Sequence, residues 1–268
     1  MNGYRNNGAA YRDFKRDLGN VNGIVTDIDK TAVPGRVAEH VGKEYLKRER
    51  AAGHSGNYWA GVRGGLVAVA KTRFFGEAAG LTHFVNTLAG TGCADRDTTY
   101  TLCHDYVRDR TLRGFTDMLM YFYHQFGLSV NILTAGMDVA ATAAVDVYGD
   151  IVLINDARGN RTQWRPPQKY EGATRVKPAD LLAGIDITIR DGRTKKAAAL
   201  EMTHQNGRGP YPLLVIGDGD DDRFMMLDTT LSLASPLAKP AVREVATMSV
   251  PPLEDGGYER FLEELRKA

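Results

Sequence analysis

The stretch that most constrains the fold is a short apolar run at residues 23–26, which is followed by two carboxylates, Asp27 and Asp29. A run of this length is consistent with a buried strand. In an open α/β sheet, ligands bind outside the carboxyl ends of the strands, so both aspartates are expected at one rim, pointing the same way. Such a pair can hold a hard cation and still leave one carboxylate free to attack. An isolated pair is more often a polar turn, so this interpretation depends on the rest of the chain.

Three further segments place polar residues at the ends of apolar runs or at the start of a helix. Residues 130–133 form a second apolar run, which ends at Thr134. Lys196 begins a helix-like segment. A third apolar run at 213–217 leads into an acidic, glycine-containing turn at 218–222. The chain therefore presents a carboxylate pair, a hydroxyl, a lysine and an acidic turn, in that order.

This order resembles the four motifs of the haloacid dehalogenase (HAD) superfamily of phosphohydrolases, and in particular its phosphoserine-phosphatase-like branch. Segment 133–140 is similar to the serine-glycine-glycine-phenylalanine-aspartate motif of phosphoserine phosphatases. Segment 217–226 is similar to their G-D-G-x-N-D turn, and segment 237–244 to the alanine-lysine-proline step that follows it. The resemblance covers residues 23–35 and 112–250.

The resemblance implies an α/β fold with a doubly wound, Rossmann-like parallel-sheet core and an inserted helical cap domain. Residues 1–35 and 112–268 would form the core, and residues 36–111 would form the cap, between the first and second motifs. Apolar residues recur at helical spacing through residues 37–110, and Pro34-Gly35 before them is a plausible hinge. A cap of this kind closes over the substrate and excludes water. The alternative is that these helices form another layer of the core.

The resemblance also implies a role for each motif residue. Asp27 would be the nucleophile and Asp29 the general acid and base, so that a phosphoryl group passes through an aspartyl-phosphate. The other implied assignments are Mg²⁺ held by Asp27, Asp218 and the backbone carbonyl of Asp29, phosphate oxygens bound by Thr134 and Lys196, and support from Thr31, Asp221 and Asp222. Magnesium prefers oxygen ligands, which these residues supply.

Two pairs of neighbouring residues are ambiguous. Lys196 is preferred to Lys195 because its spacing to the leucine four residues later matches the family, and Lys195 is then a solvated charge. Asp222 is preferred to Asp221 because of its register with Asp218. In that register Asp222 would orient Lys196 or a metal-bound water.

One departure from the family concerns the substrate. The phosphoserine enzymes carry a cap glutamate that engages the substrate amino group, and the ungapped position in this chain is Arg36. This replacement argues against phosphoserine and favours a substrate with additional negative charge.

Charge and composition narrow the class of partner. The 268 residues carry a net charge of +1 at pH 7, which provides no electrostatic attraction to nucleic acid or to an acidic membrane surface. No apolar run is long enough to span a membrane, and the first 22 residues lack the apolar centre of a signal peptide. Cys93 and Cys103 are too few for a disulfide framework. We therefore expect a cytoplasmic protein whose partner is a small molecule, with neither nucleic acid nor membrane involved.

Taken together, these features predict a Mg²⁺-dependent phosphomonoesterase, a HAD-type phosphatase that hydrolyses a small soluble phosphate ester through an aspartyl-phosphate. Two alternatives remain open. A phosphotransferase would pass the phosphoryl group to an acceptor alcohol, and a non-catalytic phosphate-ligand binding module would keep the fold without turnover. The identity of the leaving group and the oligomeric state do not follow from the sequence.

Overall fold

The computed structural model describes residues 8–166, 180–205 and 213–268. The strands of these ranges are β1 (Ile24–Thr26), β2 (Val130–Met137), β3 (Ile154–Arg165), β4 (Leu181–Asp186), β5 (Leu214–Gly217), β6 (Leu231–Ala234) and β7 (Met248–Ser249). The α-helices are α1 (Gly8–Leu18), α2 (Val37–Ala51), α3 (Ser55–Phe75), α4 (Glu77–Thr91), α5 (Arg96–Arg110), α6 (Phe115–Phe126), α7 (Asp138–Tyr148), α8 (Gly192–Gln205), α9 (Asp220–Met226), α10 (Pro240–Val245) and α11 (Gly257–Lys267). No helix in these ranges is long and apolar enough to cross a membrane.

The strands form one sheet in the order β4-β3-β2-β1-β5-β6-β7, with β1 at its centre. β1 pairs in parallel with β2 on one side and β5 on the other. All three residues of β1 are buried, as are all four of β5 and of β6, because helices cover both faces of the sheet. This burial explains why these strands are mostly apolar. The predicted α/β class with a doubly wound, Rossmann-like core is confirmed.

Two apolar clusters flank the sheet, one on each face. Ile24 belongs to a large cluster that contains the aromatic residues Phe115 and Phe122 of α6. Val25, the next residue of β1, belongs to a second cluster with Met202 of α8. This alternation follows from strand geometry, in which successive side chains point to opposite faces. The central strand is therefore anchored in both layers of the core.

The outer edge of the sheet differs from the rest. β3 and β4 pair antiparallel, from Arg161 opposite Asp186 to Arg165 opposite Leu181. Between these two strands, residues 167–179 lie outside the described residues.

Five helices lie between β1 and β2 in the chain, and the first four, α2 to α5, fall within the segment predicted to be inserted, residues 36–111. α3 packs along α4, and α5 packs against α7 of the sheet layer. The backbone N–H of Leu112, just after α5, donates to the carbonyl of Ala32, which ties the end of this segment to its start at 2.7 Å. The helical character predicted for residues 37–110 is confirmed, whereas their role as a separate cap domain stays a prediction.

A hydrogen bond from the C-terminal helix, α11, fixes the turn after β1. The hydroxyl of Tyr258, a fully buried residue of α11, donates to the carbonyl of Thr31 at 3.0 Å. Thr31 is itself fully buried, so water cannot replace this bond.

We expect Tyr258→Phe to lower the free energy of unfolding by about 1–3 kcal/mol, because the Thr31 carbonyl would remain buried without a donor. Urea unfolding measures this change. The control is Tyr121→Phe on α6, a partly buried tyrosine whose hydroxyl makes no hydrogen bond within the described residues, and it should change stability by less than about 0.5 kcal/mol. Equal stability of the two variants would contradict the anchoring role of Tyr258.

Candidate active site

Asp27 follows β1 directly, at the carboxyl edge of the sheet. Its backbone N–H donates to the Ile216 carbonyl at 3.2 Å, which continues the pairing with β5. Its side chain is 10% exposed, with Oδ1 accepting the backbone N–H of Ile28 at 2.7 Å and Oδ2 lying 2.9 Å from Lys195 Nζ. Burial raises the pKa of Asp27 well above its ordinary value, and the charge on Lys195 opposes that shift. The carboxylate is therefore held in one orientation at the floor of a cavity.

Lys195 is the buried cation of the site. Its side chain is 1% exposed, and Nζ lies 2.9 Å from Asp27 and 2.7 Å from Asp222. Burial alone would lower the pKa of Lys195, but the two carboxylates raise it above its ordinary value. The ammonium is thus a fixed positive charge beside Asp27.

The structure corrects the preference for Lys196. Nζ of Lys196 makes an ion pair with Asp228, and the side chain is 32% exposed. Neighbouring residues of a helix point about 100° apart, so only one of two adjacent lysines can face the sheet. Lys195 shares its face of α8 with the buried residues Ala199 and Met202, four and seven positions later. This helical spacing of buried residues could have identified Lys195 from the sequence, but the lysine-to-leucine spacing of the family was given more weight.

Asp222 connects the lysine to the acidic turn. Besides its contact with Lys195, its second oxygen, Oδ2, accepts the backbone N–H groups of Asp218 and Gly219, at 2.9 and 3.0 Å. The side chain therefore closes the turn between β5 and α9 and holds the ammonium at the same time. The predicted register of Asp222 agrees with this geometry, with Lys195 as the lysine it orients. Asp221 is half-buried and lines the cavity, and burial raises its pKa.

Asp218 follows β5 directly, at the carboxyl edge of the sheet. Its Oδ1 accepts a hydrogen bond from the Thr31 hydroxyl at 3.3 Å, which gives Thr31 the supporting position predicted for it. Burial, followed by the charge on Asp222, raises the pKa of Asp218 to about 7. A buried carboxylate with a raised pKa is one whose negative charge the surrounding protein does not compensate.

Asp29 links the sheet edge to the inserted helices. Its Oδ1 accepts the backbone N–H of Val37, the first residue of α2, at 2.9 Å. Burial raises the pKa of Asp29 to about 6, although this hydrogen bond lowers it. Thr134 of β2 is close by: a Cβ built on Gly136 would lie 3.1 Å from the Thr134 hydroxyl and 3.7 Å from Asp29 Oδ2. The Gly136 N–H also donates to Thr134 Oγ1 at 2.9 Å.

One cavity of about 1140 Å³ collects most of the predicted residues. The predicted site residues that line it are Asp27, Asp29, Thr134, Asp218, Asp221 and Asp222. Lys195 lines the cavity as well. Thr31 does not line it but donates a hydrogen bond to Asp218, and Lys196 does not line it either.

The acidic residues of the cavity fit a divalent cation. Carboxylate oxygens of Asp27, Asp218 and Asp222 lie within 4.8 Å of one another. Three buried carboxylates against the single ammonium of Lys195 leave two uncompensated negative charges in this cluster. The oxygens of Asp222 are already committed to Lys195 and to the turn, so Asp27 and Asp218 are better placed to hold the ion. Oxygen ligands of this kind suit Mg²⁺; the contribution of the Asp29 carbonyl stays a prediction.

Arg36 does not present a free charge to the cavity. It makes an ion pair with Glu77, the first residue of α4, and both residues line the cavity. The Glu77 carboxylate offsets the charge of Arg36, and the inference that Arg36 favours a substrate with additional negative charge stays a prediction. Glu77 was missed because 41 residues separate it from its partner.

Two comparisons with curated proteins find local sequence similarity. The chain is 41% identical over 75 residues to the phosphoserine phosphatase of Albidiferax ferrireducens, a segment that is 28% of this chain and 30% of that relative. It is 40% identical over 75 residues to the phosphoserine phosphatase of a Polaromonas species, with the same coverage. The match thus spans about 30% of the length of these relatives. No family model matches the chain.

Solved structures extend the likeness to the whole fold. A substrate-bound phosphoserine phosphatase complex has a TM-score of 0.58 and 16% identity, over 87% of this chain and 95% of its own. A HAD family hydrolase from Salmonella enterica serovar Typhi has a TM-score of 0.61 and 17% identity, over 91% of this chain and 72% of its own. The shared fold and the local sequence matches confirm the resemblance of this chain to the phosphoserine-phosphatase-like branch of the haloacid dehalogenase superfamily.

Proposed function

We propose that this chain is a Mg²⁺-dependent phosphomonoesterase that hydrolyses a phosphate ester through an aspartyl-phosphate on Asp27. The observation that carries the proposal is the buried contact of Asp27 with Lys195, at the floor of a cavity that also contains Thr134 and Asp218. This arrangement places an oriented carboxylate, a fixed positive charge and a hydroxyl around a space large enough for a phosphate ester.

In the first step, an oxygen of Asp27 attacks phosphorus and the bond from phosphorus to the ester oxygen breaks. Asp29 gives its proton to the departing alkoxide; a pKa near 6 keeps part of this carboxyl protonated close to neutral pH. In the second step, water attacks the phosphorus of the aspartyl-phosphate, Asp27 leaves as a carboxylate, and the proton of the water returns to Asp29.

Lys195 and Thr134 are suited to hold the phosphate during both steps. The ammonium lies beside the attacking carboxylate, where it stabilises the negative charge of the transition state. The Thr134 hydroxyl can donate to a non-bridging oxygen. Bound Mg²⁺, held by Asp27 and Asp218, would reduce the repulsion between the phosphate and the anionic nucleophile.

The similar proteins support the covalent route. One structural neighbour is a phospho-aspartyl intermediate analogue of a phosphoserine phosphatase, with a TM-score of 0.58 and 18% identity. For this chain we do not propose phosphoserine, because Arg36 and Glu77 form a closed ion pair where the family places the glutamate that engages the substrate amino group. A cytoplasmic location, and the absence of nucleic-acid and membrane partners, stay predictions.

We expect Asp27→Asn to reduce phosphate release by about 10³-fold or more, because the amide cannot act as the nucleophile. The assay is phosphate release across phosphorylated amino acids, sugars, glycerates and nucleotides, with Mg²⁺ and with a chelator, which should abolish turnover. The control is Asp228→Asn at the surface, which should retain wild-type activity.

Retention of activity by Asp27→Asn would rule out the covalent route. Phosphate release without an added alcohol would exclude an obligate phosphotransferase. If no ester of the panel is turned over while ligands still raise the melting temperature, the binding-module alternative is favoured instead.

The two adjacent lysines provide a matched pair of variants. Lys195→Met should lower activity by about 10²-fold or more and destabilise the fold by about 3 kcal/mol, because it leaves two carboxylates buried without their cation. Lys196→Met removes a partly exposed ion pair and should change stability by less than about 1 kcal/mol, with activity retained. Steady-state kinetics and urea unfolding test both, and the reverse ranking would show that the lysines are wrongly assigned.

A further inference from the structure

The cavity extends well beyond the aspartates. Its volume of about 1140 Å³ is at or above the upper end of the range for sites that enclose drug-sized ligands. It is lined by Ala38, Gly42 and Leu46, which follow one face of α2 from the helix start beside Asp29. The eight helical steps from Ala38 to Leu46 correspond to roughly 12 Å at 1.5 Å per residue. A phosphate ester with a short leaving group would occupy only the end near Asp29.

The far wall of the cavity carries exposed apolar side chains of α3, beside the polar residues Thr72 and Arg73. Val62, Leu66 and Val69 line it at helical spacing along α3, with Leu66 and Val69 each 70% exposed. Phe75, at the end of the same helix, also lines it and is 77% exposed. Contiguous apolar surface of this kind marks a binding site more often than an ordinary solvent face. Because it is continuous with the catalytic cavity, its occupant would be part of the substrate.

The glycines of α2 and α3 that line the cavity differ in what surrounds them. A Cβ on Gly42 would collide with Phe84 and one on Gly61 with Leu46, so these glycines allow close packing of the helices. A Cβ on Gly65, which lines the cavity in the middle of α3, would meet no heavy atom of the described residues within 4 Å. Glycine is unfavourable inside a helix, and packing among the described residues gives no reason for it here. Gly65 instead leaves the cavity open.

Other charged residues line the cavity, and three ion pairs form among them: Arg36 with Glu77, Lys43 with Glu39 and Lys239 with Asp220. Lys30, Arg73 and Arg190 line it as well. The buried cation that would bind phosphate, Lys195, is at the aspartate end. The cavity thus has an anion-binding end and an apolar end, a distribution that matches an amphipathic molecule.

We infer that the substrate is a phosphate monoester whose leaving group carries an extended alkyl chain, with the phosphate at Lys195 and the chain along Val62, Leu66 and Val69 of α3. The inference rests on the proposed function for the chemistry at Asp27. It deepens that proposal by assigning the leaving group to an apolar class.

The test is a series of monoalkyl phosphates from butyl to decyl, each kept below its micelle-forming concentration, with phosphate release as the readout. Each methylene that becomes buried should raise kcat/KM by up to about fourfold, mostly through KM. The same series of alkylphosphonates, which cannot be hydrolysed, is measured by calorimetry, and the affinity should rise with chain length.

The two readouts separate the two proposals. Turnover that is independent of chain length, together with phosphonate binding that is independent of it, would overturn the apolar assignment and leave the phosphatase proposal standing. Chain-dependent phosphonate binding without any turnover would support the apolar site and contradict the phosphatase proposal.

Two pairs of variants locate the chain within the cavity. Gly65→Phe should fill the apolar end and lower the ratio of decyl to butyl phosphate turnover by about tenfold, whereas Gly90→Phe, at an open position of α4 outside the cavity, should keep the wild-type ratio. Leu66→Asp should lower this ratio as well, and Phe74→Asp, 74% exposed and outside the cavity, should not. Unchanged ratios in both Gly65→Phe and Leu66→Asp would overturn the assignment. Because the Leu66 side chain is exposed, Leu66→Asp is not expected to require repacking of the core.

Discussion

The rest of the site depends on the buried ammonium of Lys195, held between Asp27 and Asp222 at 2.9 and 2.7 Å. Removing charges from water is costly, and it is tolerated only where partners and hydrogen bonds compensate. The three side chains come from the end of β1, from α8 and from α9. The ion pairs therefore form only when these elements are packed together. The same cluster provides the charges of the site and fixes the positions of α8 and α9 relative to the end of β1.

The loop after β1 makes hydrogen bonds to three other parts of the molecule. Asp29 accepts the first N–H of α2, the Thr31 hydroxyl donates to Asp218, and the Thr31 carbonyl accepts from Tyr258. Within five residues, the sheet edge is joined to the inserted helices, to the acidic turn and to the C-terminal helix. The aspartates after β1 and the apolar residues of α3 line the same cavity, which is why a single substrate could contact both.

The sequence predicted the strand-end residues well, because their signals are local. Asp27, Thr134 and Asp218 each follow or end a buried apolar run, and the sheet brings them to one edge. The choice between Lys195 and Lys196 failed for a different reason. Family spacing was given more weight than helical phase, although the positions of the buried residues of α8 favour Lys195.

By itself, the sequence determined that the chain forms a parallel α/β sheet with carboxylates and a hydroxyl at its carboxyl edge, since short apolar runs and the turns after them depend on neighbouring residues. Only the tertiary structure decided that Lys195 contacts both Asp27 and Asp222, that Glu77 pairs with Arg36 and that α3 adds apolar side chains to the cavity wall. Each of these features depends on the relative placement and rotation of elements that are distant in the chain. Local propensity does not encode that placement; packing between the layers does.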